Sequence, residues 1–436
     1  MSTPAVAAAA SRPGIGLWAA VSIGIGGMIG AGIFSILGVV AQVAGAALPV
    51  AFLAGGVVAL LATYSYAKLG ARYPTAGGAV QFLVEGLGDG VLSGGLNTFQ
   101  WVGFVITLAL YASGFAGYAR TFLPAGTPGP WTQVFAVGII LAFTLLNSLG
   151  AGTVGKAETF IVGAKVAILI AFVAVGMWFI VPATWPSSGD VLFGAGVLFV
   201  GYEGFGLITN AAGDMANPRR LLPRALFLAV VIVIVIYVAV AATVIGTLTV
   251  PQILAARDFA LAQAAKPFLG EVGFRLIGIA ALLSTSSAIN ATVFGAANAS
   301  YQIARDGELP ATFTRSVWRH NLEGLYLTAG LAILFVLFFD LGPIAMMGSA
   351  AFLLVYAAVN GAHLRLYHQT GAQPALIALS LLACLAMFAL LCVYVVHLGT
   401  LAPLVALVGL LALSFVAEWA YRRRTGRTIK PASAAR

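Results

Sequence analysis

The chain has 436 residues, of which 61% are hydrophobic and 8% are charged. A soluble domain could not bury this much apolar surface, since its exterior would carry apolar patches far larger than soluble monomers tolerate. The composition therefore indicates a membrane protein. The net charge of +9 does not indicate a nucleic-acid partner, because the basic residues are spread over short connections, as membrane topology produces.

Runs of apolar residues predict twelve transmembrane helices, because a span needs about 20 mainly apolar residues. They fall near residues 16–42, 48–71, 91–122, 131–150, 157–181, 190–212, 224–248, 269–303, 324–340, 343–366, 374–396 and 400–421. With the N-terminus inside, only four basic loop residues lie outside: Arg120, Arg257, Lys266 and Arg275. The positive-inside rule therefore predicts two cytoplasmic tails, at 1–15 and 422–436.

Two of the predicted spans are interrupted by glycine. Span 1 contains Gly24-Ile25-Gly26-Gly27-Met28-Ile29-Gly30-Ala31-Gly32-Ile33-Phe34, and span 6 contains Phe199-Val200-Gly201-Tyr202-Glu203-Gly204-Phe205-Gly206. Each glycine weakens a helix by about 1 kcal/mol relative to alanine, so both segments are expected to unwind. Non-helical backbone at membrane depth is tolerated where it lines a cavity. The pair therefore predicts the substrate site of a secondary transporter. The alternative is that the glycines serve only close helix packing.

The positions of the two breaks predict an internal repeat. A five-span unit that starts at span 1 and recurs at span 6 begins each half with a broken helix. Because five is odd, the second copy must be inverted in the membrane. The predicted fold is an all-α integral membrane protein with repeats at 16–181 and 190–368 and two additional spans at 374–421.

Several motifs resemble those of the amino acid–polyamine–organocation (APC) permeases. The glycine-rich segments of spans 1 and 6 are similar to the family's two broken helices. The loop Ala212-Gly213-Asp214-Met215-Ala216-Asn217-Pro218-Arg219-Arg220 and the segment Ala304-Arg305-Asp306-Gly307-Glu308-Leu309-Pro310 are similar to its later signatures. The resemblance covers nearly the whole chain and implies a LeuT-like 5+5 fold.

The resemblance also implies where an amino acid would bind. It places the substrate carboxylate on the backbone of Ala31 and Gly32, where free N–H groups and the helix dipole favour an anion. It places the substrate amine on main-chain carbonyls of spans 1 and 6. The candidate substrate-binding residues are Met28, Ile29, Gly30, Ala31, Gly32, Tyr111, Val200, Gly201, Tyr202, Glu203 and Phe205.

Glu203 is unusual because a carboxylate near the middle of a membrane normally marks function. Three interpretations are open. The side chain could attract a cationic substrate group or a polyamine, it could carry a proton during transport, or it could accept hydrogen bonds from N–H groups freed by the break.

Lys165 is the one lysine placed deep within a predicted span. A buried ammonium group needs carbonyl or hydroxyl partners, which we expect near Gly24 and Gly27 and at Ser286 or Ser287. The resemblance to APC permeases implies that a lysine at this position takes the place of the sodium ion that sodium-coupled relatives bind. The alternative is that Lys165 extends to the membrane surface. The predicted coupling residues are Lys165, Glu203, Ser286 and Ser287.

The sequence contains no metal-ligand spacing, nucleophile elbow or phosphate-binding loop, so no cofactor, metal or enzymatic activity is expected. The prediction is a secondary transporter of amino acids in the cytoplasmic membrane, sodium-independent and coupled to protons, without an obligate protein partner. The alternatives are a polyamine or organic-cation transporter and an amino acid exchanger.

Overall fold

The computed structural model describes residues 14–75, 77–124, 126–148, 154–180, 190–306, 316–318 and 321–426. The first predicted repeat is represented by eight helices. They are α1 (Leu17–Met28), α2 (Ala31–Phe34), α3 (Ile36–Ala44), α4 (Leu48–Arg72), α5 (Ala79–Leu87), α6 (Val91–Arg120), α7 (Trp131–Ser148) and α8 (Val154–Gly176). Short 3-10 turns at Gly45–Ala47 and Met177–Phe179 extend α3 and α8.

The rest of the chain begins with α9 (Val191–Leu198), the 3-10 helix Phe199–Phe205 and α10 (Gly206–Asn210). Two further 3-10 turns are Ala212–Asp214 and Arg257–Phe259. The remaining elements are α11 (Pro218–Thr247), α12 (Val250–Ala256), α13 (Ala260–Asp306), the antiparallel strands β1 (Ser316–Trp318) and β2 (Asn321–Leu322), α14 (Glu323–Phe338), α15 (Leu341–Thr370), α16 (Pro374–His397) and α17 (Ala402–Thr425). Helix α13 is interrupted at Gly270, whose φ of 60° lies in the left-handed region.

Each predicted span contains at least one of these helices. Within the described ranges, ten helical stretches are long and apolar enough to cross a membrane, and the apolar helices Leu17–Met28 and Glu323–Phe338 are shorter. The all-helical membrane fold is thereby confirmed, whereas the count of twelve and the five-span repeat remain predictions. Residues 1–13 and 427–436 of the predicted tails, and 307–310 of the motif after span 8, lie outside the described residues.

The interior of the bundle is built around α6, α15 and the segment from α9 to α10. Most residues of these elements are buried, whereas α16 and α17 leave most of their apolar side chains exposed. Helix α4 packs along α11, and α13 packs along α6. An apolar exterior around a more polar interior is the arrangement expected of a protein whose solvent is lipid.

Candidate functional site

The helix of span 1 breaks between Met28 and Ala31. Helix α1 ends at Met28, and the ψ angle of 73° at Ile29 turns the backbone out of the helical path. The N–H of Gly30 donates to the carbonyl of Met28 at 2.9 Å. Helix α2 then starts at Ala31 and ends at Phe34, before α3 resumes at Ile36. The glycine-rich segment therefore opens within span 1.

The segment of span 6 behaves differently from its prediction. Residues Phe199–Phe205 do not unwind but form a 3-10 helix between α9 and α10. A 3-10 helix keeps its backbone groups paired through bonds over three residues while it changes the helical pitch. This pairing costs less than exposing bare peptide groups among apolar side chains.

The two segments are in direct contact through glycine. A Cβ atom on Gly32 would lie 2.9 Å from the Cα of Gly201, and a Cβ on Gly204 would overlap the carbonyl carbon of Gly27. Neither space admits a side chain. These glycines therefore allow close packing where the break of span 1 meets the 3-10 helix of span 6. This is the role that the alternative interpretation gave them.

Tyrosine hydroxyls occupy several of the carbonyls expected to bind a substrate amine. Tyr237 donates to the carbonyl of Met28 at 2.5 Å and lies 3.1 Å from that of Gly201. Tyr356 donates to the carbonyl of Glu203 at 2.8 Å. The N–H of Val200 donates to Ser349 Oγ at 2.9 Å. An ammonium group that binds these carbonyls must displace the hydroxyls.

Tyr237 and Tyr356 were not predicted from the sequence. Each lies within an apolar helix, where a tyrosine is ordinarily a packing residue. The feature of the sequence that could have indicated their role is the hydroxyl group, because a buried tyrosine O–H requires an acceptor. Broken backbone is a concentrated source of free carbonyl acceptors inside a membrane bundle.

The aromatic candidates of span 6 point away from the break of span 1. The hydroxyl of Tyr202 donates to the carbonyl of Phe52 at 2.8 Å. The ring of Phe205 packs against Tyr356 and Tyr66, with ring centroids 5.0 and 5.3 Å apart. Neither side chain is brought to the tyrosine-capped carbonyls.

Lys165 points into the bundle rather than towards the surface, because only 1% of it is exposed. Its Nζ donates to the carbonyls of Gly26 at 3.0 Å and Ile29 at 2.6 Å. The first carbonyl lies in the last turn of α1 and the second lies in the break itself, whereas the predicted partners were those near Gly24 and Gly27. The surface alternative for Lys165 is wrong for this structure, because the ammonium group is buried.

The serine that contacts the same part of span 1 as Lys165 is Ser284, which corrects the prediction of Ser286 or Ser287. Ser284 Oγ donates to the carbonyl of Ile29 at 2.6 Å, so it shares this acceptor with Lys165. Ser287 lies one turn further along α13 and is buried, with no hydrogen-bond partner for its hydroxyl among the described residues. Ser286 is only partly buried. The residue spacing identified the correct helix but not the correct turn.

Glu203 lies within the 3-10 helix of span 6. It is 2% exposed, and its Oε1 is 3.5 Å from the hydroxyl of Tyr111. The Tyr111 hydroxyl donates to the carbonyl of Gly27 at 2.9 Å. Glu203 also borders a small cavity whose lining includes Gln100 and Asn210.

Contacts join neighbouring elements at both ends of the bundle. At the end predicted to be cytoplasmic, the N–H of Ile15 donates to the carbonyl of Asp214 at 2.9 Å. At the opposite end, the carbonyl of Arg257 fills the space where Gly38 would carry a Cβ, and Tyr118 donates to the carbonyl of Phe34 at 2.6 Å. We call the arrangement in which both sets of contacts are made the occluded conformation.

Comparison with known proteins gives a consistent result over most of the chain. A family model described as "Amino acid permease" matches residues 15–415. An uncharacterized protein of Methanocaldococcus jannaschii is 42% identical over 84% of this chain and 86% of its own. The inner membrane transport protein YbaT of Escherichia coli is 38% identical over 84% and 87%. The methylthioribose transporter of Bacillus subtilis is 28% identical over 78% and 77%.

Proposed function

We propose that this chain, which belongs to the amino acid permease family, moves amino acids across the cytoplasmic membrane by alternating access, without sodium and coupled to protons. Membership of the family confirms the resemblance to APC permeases and assigns the chain to the transporters. To this the proposal adds an amino acid as the substrate, the proton as the coupling ion, and an orientation with both termini in the cytoplasm. The name of the relative YbaT, an inner membrane protein, supports the cytoplasmic membrane as its location.

The observation that carries the proposal is the position of Lys165. Its ammonium group binds the carbonyls of Gly26 and Ile29 at 3.0 and 2.6 Å, and Ser284 contributes a hydroxyl to the second. Two carbonyls and a hydroxyl around a positive charge form an environment of the kind that holds a metal cation in a broken-helix carrier. A fixed ammonium group there makes sodium unnecessary.

Lys165 can also provide proton coupling. An ammonium group can release its proton, which a guanidinium group cannot. Loss of the proton would remove the charge that holds one carbonyl in the last turn of α1 and one inside the break. The two halves of span 1, α1 and α2, would then be free to move relative to each other.

Substrate recognition is proposed at the crossing of spans 1 and 6. The substrate ammonium takes the carbonyls of Met28, Val200, Gly201 and Glu203, and its carboxylate takes the N–H groups at Ala31 and Gly32. Gly30 and Ile29 form the turn between these two sets. The hydroxyls of Tyr237 and Tyr356, which hold three of the carbonyls in the occluded conformation, return when the substrate leaves.

The function is tested with the purified full chain in sealed vesicles. We expect uptake of a labelled amino acid that rises with an inward proton gradient and does not change when sodium is replaced by choline. Equal rates with and without the gradient, at every pH tested, would refute proton coupling. A requirement for sodium would refute the role assigned to Lys165.

Two substitutions of Lys165 test separately whether transport needs its positive charge and whether transport needs its ability to release a proton. Lys165→Ala should lower gradient-driven accumulation by at least about tenfold. Lys165→Arg keeps the charge but cannot release it, so it should support exchange of internal for external substrate without accumulation. Lys68→Ala is the matched control, because Lys68 is partly exposed, donates to the carbonyl of Gly371 at the surface and lies over the ring of Tyr64.

Competition identifies the substrate class. Unlabelled amino acids should displace the label, whereas a linear polyamine and methylthioribose, the latter named for one relative, should not. Displacement by the polyamine alone would favour the organic-cation alternative, to which the buried carboxylate of Glu203 lends support.

A further inference from the structure

Glu203 is a buried carboxyl group to which no described residue donates a strong hydrogen bond. Its partner in the described part of the chain is the hydroxyl of Tyr111, at 3.5 Å from Oε1. That hydroxyl has one hydrogen, which it gives to the carbonyl of Gly27 at 2.9 Å. An ionised carboxylate left in this state would be strongly unfavourable. Glu203 therefore holds a proton in the occluded conformation or is accompanied by another donor.

The cavity beside Glu203 offers space for such a donor. Its volume open to a water-sized sphere is ≈ 10 Å³, close to the minimum of about 10–15 Å³ that one water molecule requires. The space is too small for an amino acid side chain. Gln100 lines the same cavity, is only 7% exposed, and has no hydrogen-bond partner for its Oε1.

The chemistry of these two groups restricts what occupies the cavity. The amide oxygen of Gln100 requires a donor, and a protonated Glu203 requires an acceptor. A single water molecule can accept from the acid while it donates to the amide, and it fits the volume. The cavity also borders Ala79, at the start of α5, and Asn210, at the end of α10. Both residues lie towards the end of the bundle where the basic loops predict the cytoplasm.

We propose that Glu203 is a second protonation site of this transporter, and that one water molecule held between Glu203 and Gln100 passes its proton to the cytoplasmic side. The proposal rests on the proton-coupled function argued above. The step is a simple proton transfer: the carboxylic acid gives its proton to the water, the water gives one to the cytoplasm, and a carboxylate remains.

Other titratable groups surround Glu203. Tyr66 of α4, Tyr111 of α6 and Tyr356 of α15 face it from three neighbouring helices. Among the described residues that line the cavity, none is Lys, Arg or His. Ionisation of Glu203 must therefore be stabilised by hydroxyl groups.

Tyr111 links this ionisation to the break of span 1. When Glu203 is protonated, the hydroxyl of Tyr111 binds the carbonyl of Gly27, as in the structure. When Glu203 loses its proton, the same hydroxyl turns to the carboxylate and releases that carbonyl. The freed carbonyl of Gly27 lies between Gly26 and Ile29, the two residues held by Lys165. Tyr111 is thus a positioning residue that connects two protonation sites.

The test measures protons and substrate together. Vesicles containing a trapped pH-sensitive dye and the full-length transporter report the number of protons moved per labelled amino acid. Glu203→Gln should lower this ratio, which is counted per substrate molecule moved and therefore does not depend on how fast the variant exchanges substrate. A wild-type ratio in Glu203→Gln would overturn the inference and leave the role of Lys165 standing. Absence of proton movement in the wild type would instead refute the proposed function.

A second pair of variants keeps the proposal testable if Glu203→Gln fails to fold. Gln100→Met removes the amide that holds the water and should slow gradient-driven uptake by about tenfold, with exchange retained. Gln81→Met is the control, since Gln81 is also buried but is bonded to Glu85 on α5. Equal behaviour of the two methionine variants would overturn the role of the water.

Infrared difference spectra between acidic and alkaline buffer provide a direct readout. A carboxylic acid band should appear on acidification in the wild type and be absent from Glu203→Gln. Tyr111→Phe should keep the band but shift the pH at which it appears. If a linear diamine removed the band in the wild type and failed to bind Glu203→Gln, Glu203 would be a substrate cation site, and the inference would be wrong.

Discussion

The glycine-rich segments of spans 1 and 6 have similar sequences and different structures. The first opens between Met28 and Ala31, whereas the second stays wound as the 3-10 helix Phe199–Phe205. Glycine content does not explain this difference, because both segments are dense in glycine. The side chains that surround each segment do explain it.

The first segment can open because donors from four other helices satisfy its carbonyls. Lys165 of α8, Ser284 of α13, Tyr111 of α6 and Tyr237 of α11 together bind the carbonyls of Gly26, Gly27, Met28 and Ile29. The second segment receives only the hydroxyls of Tyr237 and Tyr356. It keeps its local bonds because fewer outside donors replace them.

The largest effect is expected where the two segments touch. Gly204→Ala would place a methyl group on the backbone of Gly27 and Met28, and backbone cannot move aside as a side chain can. We expect a loss of stability of about 3 kcal/mol and loss of transport. The thermal midpoint of the purified protein in detergent and uptake in vesicles measure these two quantities.

Gly206→Ala is the matched control for this substitution. Gly206 directly follows the 3-10 helix, but a Cβ there would lie 3.7 Å from the hydroxyl of Tyr356 and 3.8 Å from a ring carbon of Tyr66, which is ordinary contact. Because alanine favours a helix by about 1 kcal/mol over glycine, this variant should be as stable as the wild type or more stable. Equal losses in both variants would show that the glycines matter for flexibility rather than for the contact.

A smaller effect is expected from removing the hydroxyl that joins the segments. Tyr237→Phe leaves the carbonyls of Met28 and Gly201 without this donor, at a cost of about 1–3 kcal/mol for a buried unsatisfied acceptor. Since the hydroxyl also competes with a substrate amine, substrate affinity should rise while the thermal midpoint falls.

Tyr202→Phe provides the comparison for Tyr237→Phe. Tyr202 is equally buried and packs on Tyr237, with ring centroids 5.2 Å apart, but its hydroxyl binds Phe52 on α4. This variant should lose some stability without a gain in affinity. A gain in both variants would mean that the hydroxyl of Tyr237 does not occupy the amine position.

The sequence predicted the positions of the helices and breaks better than the contacts made at them. Apolar runs located helices throughout the described residues, because hydrophobic length is a local property. The short helices α5 and α12 were missed, since neither is long enough to register as a span. The buried position of Lys165 was identified as a candidate because a charge within an apolar run is conspicuous.

The contacts were harder to predict because they depend on how helices distant in the chain are rotated and offset. Lys165 meets the carbonyls of Gly26 and Ile29, where the prediction named those near Gly24 and Gly27, and Ser284 is found in place of Ser286 or Ser287. A shift of two residues along a helix turns a side chain to another face, and a shift of three residues moves it one turn along the same face. Nothing local in the sequence fixes that rotation, which is set by the packing of α8 and α13 against span 1.

The substitution with the smallest expected effect tests whether Ser284, rather than Ser286 or Ser287, is the contact that α13 makes with span 1. Ser284→Ala removes the hydroxyl that shares the carbonyl of Ile29 with Lys165 and should lower stability by about 0.5–1.5 kcal/mol. Its effect on proton-driven uptake should exceed its effect on exchange, because the hydroxyl supports the ammonium site. Ser287→Ala removes a buried hydroxyl that has no partner among the described residues, so it should be neutral or slightly stabilising. If Ser287→Ala instead had the larger effect, the coupling role would return to Ser287, and the opening of span 1 would be supported one turn further along the same face of α13.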